Sequence, residues 1–221
     1  MLSFNDILIF MRERAAKRQE LRLAGEVNRS NIATLERAYA TTLTELRQVF
    51  EGLPDNLYNA RLPSYPGARH LGELGINAVL QSQLIETTLL PDFIRILQED
   101  HQQIGDRHYS RTSSRVGSGG DIYVSAEPQF SGQLIKVLTN EVDVLHKLAA
   151  ANFNPPLPWT LFPELGLPIR VSQGDAQYWY ENIWDPYWHS LSTTEQDKFM
   201  RDKQPSPEWE EALRWREPPA P

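Results

Sequence analysis

NIATLERAYATTLTELRQVFEGL, residues 31–53, is the stretch from which the rest of the chain is placed. Ile32, Leu35, Tyr39, Leu43, Leu46, Phe50 and Leu53 recur at steps of three and four. That is the period of one helix face, with Glu36, Arg37, Thr41, Glu45 and Gln48 turned away from it. The spacing predicts one amphipathic helix over 31–53. A helix with an apolar stripe is unstable alone, so the stripe must be buried against its own chain or against another.

Working outward, Ser3 and Asp6 suit the start of a helix over 3–24, with Phe4, Leu8, Met11 and Ala15 on one side. The basic residues between Arg12 and Arg22 read as its solvated face, or as an arm for an acidic partner. Pro54, Pro63, Pro66 and Gly67 mark a loop after the 31–53 helix. Leu74, Ala78, Leu84 and Ile85 predict a helix over 71–90, and Pro91 either kinks this element or, with Asp92, opens another helix over 91–104. Ile122, Tyr123 and Val124 read as a short strand. Ser131 then caps a helix over 131–151, with Leu134, Leu138, Val142, Leu145 and Leu148 on one side.

The last third changes character. Pro155, Pro156, Pro158, Pro163 and Pro168 forbid long helices, and Ile169 to Val171 suits an edge strand. All six tryptophans lie between Trp159 and Trp215. Ser192 with Glu195, and Ser206 with Pro207 and Glu208, each open a short helix. The fold class expected is therefore mainly α: a multi-helix domain over 1–153 with a small β element, and an aromatic, Pro-rich C-terminal cap over 154–221.

Composition narrows the function. A net charge of −7 and a pI near 5.3 argue against a general nucleic-acid or anionic-membrane binder, which needs a basic field. The absence of cysteine excludes disulfides and thiolate metal sites. No apolar run approaches the roughly 20 residues of a membrane span, and the basic residues follow the apolar N-terminal segment, opposite to a secretory signal. A cytoplasmic, soluble protein is expected.

Three stretches carry possible chemistry. The Ser/Arg/Gly loop 107–121 offers Arg107, Arg111 and Arg115 as phosphate-binding residues, with backbone N–H groups at Gly117 to Gly120. It lacks the Gly-Lys-Ser/Thr ending of a phosphate-binding loop, and its glycines lead into a strand rather than a helix. Asp121 and Glu127 on that strand would hold a divalent ion in an enzyme of phosphorylated or nucleic-acid substrates, with His108 as acid or base. His101, Asp106 and His108 match no compact metal-ligand spacing, so no metal or cofactor is assigned. Tyr180, Trp184 and Trp188, four apart, form either a secondary core or a partner-binding face.

No motif specifies an activity. The expectation is a non-catalytic protein-binding or assembly component, such as an immunity-type inhibitor or accessory factor. Another protein chain is its partner, and self-association through helix 31–53 is compatible with the stripe. The competing expectation is the enzyme with its site at loop 107–121. What separates the two is whether the loop's side chains converge in one concave pocket.

Overall fold

An antiparallel sheet, not a helical bundle, organises this chain. The computed structural model describes residues 26, 28–52, 57, 59–111, 120–163 and 174–214. Two compact units are present, Met1–Leu46 and Arg47–Pro221. The expected helix 3–24, the edge strand at Ile169 to Val171, Leu53 and Trp215 lie outside the described residues.

The 31–53 stripe is helical but broken. Helix α1 spans 28–39 and helix α2 spans Leu43–Val49. Between them Ala40 takes a left-handed backbone at φ 51°, which costs a non-glycine residue about 1 kcal/mol. A capping box restarts the helix. Thr42 N–H donates to Glu45 Oε2 at 2.8 Å, and Glu45 N–H donates to Thr42 Oγ1 at 3.2 Å. Those N–H and hydroxyl donors hold the Glu45 carboxyl below its usual range. The Thr-x-x-Glu signal stood in the sequence, inside a period that ran across it.

Six strands follow among the described residues: β1 (Ala68–His70), β2 (Val79–Glu86), β3 (Gln102–Gln103), β4 (His108–Ser110), β5 (Asp121–Gln129) and β6 (Gly132–Thr139). Their order is β1-β2-β6-β5-β4-β3, with every pair antiparallel. The fold is α+β, and two expected helices are corrected by it. Residues 71–90 hold only a short 3-10 turn, Gly72–Leu74, before β2. Residues 131–151 divide into β6 and helix α4 (Val142–Ala150). Ser131 caps nothing there: with Phe130 it makes the hairpin turn between β5 and β6, at φ 57° and 46°. Positive φ at both central residues is the twist that joins tight hairpins, here without the usual Asn-Gly signal.

Both faces of the sheet are covered, which is why its strands do not alternate cleanly. On one face Ile85, Ile122, Val124, Ile135 and Val137 pack with Phe93 and Leu97 of α3 (Leu90–Gln98) and Val144 and Leu148 of α4. Pro91 sits in the first turn of α3, as expected. The 91–104 helix ends early, though, and β3 follows. On the other face Leu84 and Leu134 meet a cluster of aromatic rings from the C-terminal third.

That third is built on α5 (Pro158–Leu161), α6 (Gly174–Trp179), a π-helical turn (Tyr180–Trp184), α7 (Asp185–Ser190), α8 (Thr193–Lys203) and α9 (Pro207–Arg214). The π-turn has a clear cause. Pro186 has no N–H, and its ring would strike the carbonyl four residues back in a continuous α-helix. Widening the turn, with Asp185 N–H donating to the Tyr180 carbonyl, removes that conflict. It also adds a residue to the turn and so aligns Trp179 with Trp184. The two rings stack at 5.5 Å, and Trp184 stacks on Trp188 at 6.1 Å. Five-residue then four-residue spacing thus makes one column of three indoles, all buried. Ser192 and Glu195 form the expected capping box at the start of α8.

Candidate functional site

The polar end of the sheet, where loop 107–121 leaves and returns, holds most of the residues singled out by sequence. The β4–β5 pairing places Ser110 opposite Asp121 and His108 opposite Tyr123. His108 Nε2 and Asp121 Oδ1 therefore meet at 2.7 Å, and the imidazole stacks on the Tyr123 ring at 4.2 Å. Arg111 N–H donates to the Gly120 carbonyl, closing the loop base, and Arg111 Nη2 donates to Glu141 Oε2 at 2.7 Å.

Glu141, which sequence reasoning did not single out, is the hub of this end. Its carboxylate lies over the bare Cα of Gly120, where a Cβ would collide with it. Its backbone N–H donates to Thr139 Oγ1. The buried His101 approaches it from within: Nε2 stands 3.2 Å from Glu141 Oε2, too oblique for a hydrogen bond, while Nδ1 donates to the Leu97 carbonyl. Only the glycine at position 120 hinted at such a contact in sequence.

Arg107, the other described arginine of the loop, does not join them. Arg107 lies beside Asp106, whose side chain is almost fully exposed. Arg115 and Gly117 to Gly119 lie outside the described residues. Glu127 shares a strand face with Asp121 but stands six residues along it, about 20 Å away at roughly 3.3 Å per residue. It faces Lys136 at 3.6 Å instead. Asp121 and Glu127 therefore share no divalent ion. Among the described residues no group of three or more His, Asp or Glu side chains is arranged to hold a metal. His101, Asp106 and His108 are divided among separate partners.

A cleft of about 670 Å³ lies elsewhere, at the β2 side of the sheet. One wall is Ser82, Gln83 and Leu84 of β2 with Leu134 of β6. The other is the face of α6–α7 opposite the indole column: Tyr178, Asn182, Ile183, Pro186 and His189. Ser64, Tyr65 and Gly67 edge its mouth. Tyr180, Trp184 and Trp188 are buried behind this wall, so the ring the segment offers to solvent is Tyr178, 53% exposed and stacked on Phe130. Among the described residues no Asp, Glu, Lys or Arg lines the cleft, in a chain of net charge −7.

Compared with known protein families, curated proteins and solved structures, the chain matches none. Among the described residues no helix is long and apolar enough to cross a membrane. The reading of function rests on the two sites themselves.

Proposed function

We propose that this chain is a non-catalytic protein-binding component, in the manner of an accessory factor or immunity-type inhibitor, and that the cleft between β2 and α6–α7 receives the partner. The observation that carries this reading is the cleft's lining. It is concave and of ligand-binding size, it mixes apolar floor with amide and hydroxyl groups, and among the described residues no Asp, Glu, Lys or Arg lines it. Catalysis of phosphoryl or hydrolytic chemistry needs positioned charge or an acid–base pair at the substrate. His101 with Glu141, His108 with Asp121, and Arg111 with Glu141 instead hold one another at the far end of the sheet.

The test is affinity capture from the native source with three forms of the full chain. Wild type and Arg111→Ala should retain the same stoichiometric protein partner. Asn182→Lys, which places a charge on an exposed helix position lining the cleft, should lose it. A partner held equally by all three contradicts the cleft as its seat. Nucleotide or nucleic acid that co-purifies with wild type and is lost with Arg111→Ala favours the enzyme reading at the loop.

A further inference from the structure

The cleft offers a partner side chains rather than a strand edge. Ser82 N–H donates to the Gly67 carbonyl and Glu86 N–H to the Asn154 carbonyl, and Leu84 between them is buried, so β2 is closed to pairing there. Along the opposite wall the carbonyls are bonded within the helical turns. That wall presents Tyr178, Asn182 and Pro186, each exposed and four residues apart, with Ile183 beside them. Tyr178 is held as a flat apolar plate. Its ring lies on Phe130 at 6.2 Å and 21°, yet the residue stays open to solvent. Ile183 and Pro186 stand about 8–12 Å from it along the axis, at roughly 1.5 Å per residue. Asn182 Nδ2 is spent on the Tyr178 carbonyl, which leaves the hydroxyls of Tyr178 and Ser82 to donate to an occupant.

We infer that the occupant of the cleft is an uncharged, proline-rich segment of the partner protein in the polyproline II conformation. This rests on the protein-binding reading above. A polyproline II chain returns to the same side every three residues, about 9 Å. That repeat falls within the separation of Tyr178 from Ile183 and Pro186, so one proline lies on the aromatic plate and the next on the Ile183–Pro186 surface. Proline carries no N–H, so such a segment brings few donors to a helical wall whose carbonyls are already bonded. Its own carbonyls accept from the Tyr178 and Ser82 hydroxyls. An ordinary extended strand would bring N–H groups that the closed edge of β2 does not meet. The lining among the described residues has no Asp, Glu, Lys or Arg, so a charge at the docked positions would be desolvated without a counter-ion. A preformed polyproline helix also loses little conformational freedom on docking.

Short random peptides displayed on phage and selected against the full chain, with Asn182→Lys as counter-selection, provide the probe. Peptides that depend on the cleft should carry prolines three positions apart and no Asp, Glu, Lys or Arg between them. Replacing those prolines by alanine should weaken binding roughly tenfold, and so should Tyr178→Ala in the chain. Tyr178→Phe, which keeps the plate and removes one donor, should weaken it less. Cleft-dependent peptides that lack proline, or that bind Tyr178→Ala as well as wild type, overturn the polyproline assignment while the protein-binding cleft stands. Failure to select any peptide sensitive to Asn182→Lys overturns both.

Discussion

The two ends of the sheet treat their polar groups in opposite ways. At the loop end His108 meets Asp121, Arg111 meets Glu141, and Glu141 seals the space over Gly120. Charge is dense there, and His108, Asp121, Arg111 and Glu141 are each held by a neighbour, with the imidazole of His101 3.2 Å from Glu141. At the β2 end no Asp, Glu, Lys or Arg lines the cleft among the described residues, and its polar groups are amides, hydroxyls and one imidazole. The difference teaches that residue chemistry alone misdirects: clustered His, Arg and Asp drew attention to the closed end, while the concave surface lies at the other.

The largest effect expected is at the wall that shapes the open end. Trp184 is fully buried between Trp179 and Trp188. Trp184→Ala should cost about 3–5 kcal/mol in urea unfolding, and a loss below 1 kcal/mol would mean the indole column is not the support of that wall.

Gly120→Ala should cost about 1–3 kcal/mol, because the new methyl displaces the Glu141 carboxylate and strands Arg111 and the buried His101. Tyr178→Ala, an exposed position on the cleft, should cost less than about 1 kcal/mol while removing a binding surface. Equal losses for these two variants would erase the distinction between sealed and open ends.

Ionisation sharpens the same contrast. Burial holds the Tyr187 phenol well above its usual range, with Tyr65, Glu86 and Glu195 pushing the same way; burial alone does so for Tyr65 at the cleft mouth. A phenol whose folded pKa exceeds its unfolded one contributes fully below the ordinary value near 10, and that contribution falls as pH rises above it. Phenolate absorbance should therefore show these rings ionising only with alkaline unfolding, and Tyr187→Phe should move that unfolding to higher pH. Free ionisation near pH 10 in the folded chain contradicts the packing.

The smallest effect is at Glu195, whose carboxyl the Ser192 hydroxyl and N–H and the Asn152 amide hold below its usual range. A lowered carboxyl stabilises above its unfolded value of 4.5 and loses that contribution as pH falls through the folded value. Glu195→Gln should slightly flatten the acid limb of the stability profile below about pH 4.5, and an unchanged limb would show the cap to be energetically silent.

Local signals were legible and global ones were not. Pro91, the Ser192–Glu195 box and the strand core Ile122–Val124 depend on adjacent residues, and each lies where its chemistry places it. The sheet was hidden because burial on both faces removes the period of two. In β6, Leu134 and Leu138 serve one face while Ile135 and Val137 serve the other. Joined to Val142, Leu145 and Leu148 of α4, the first pair imitates a helix stripe. Gln81 and Gln83, polar yet buried, removed the remaining strand signal from β2. In the candidate site, Glu141 and the cleft beside β2 were invisible because both depend on contacts far apart in sequence. His108 and Arg111 were visible but did not reveal that they would be paired with Asp121 and Glu141.

The most direct measurement is affinity capture with the full chain, comparing wild type, Asn182→Lys at the cleft and Arg111→Ala at the loop end. Wild type and Arg111→Ala should hold the same stoichiometric protein partner, and Asn182→Lys should lose it. A partner held equally by all three would contradict the cleft as its seat.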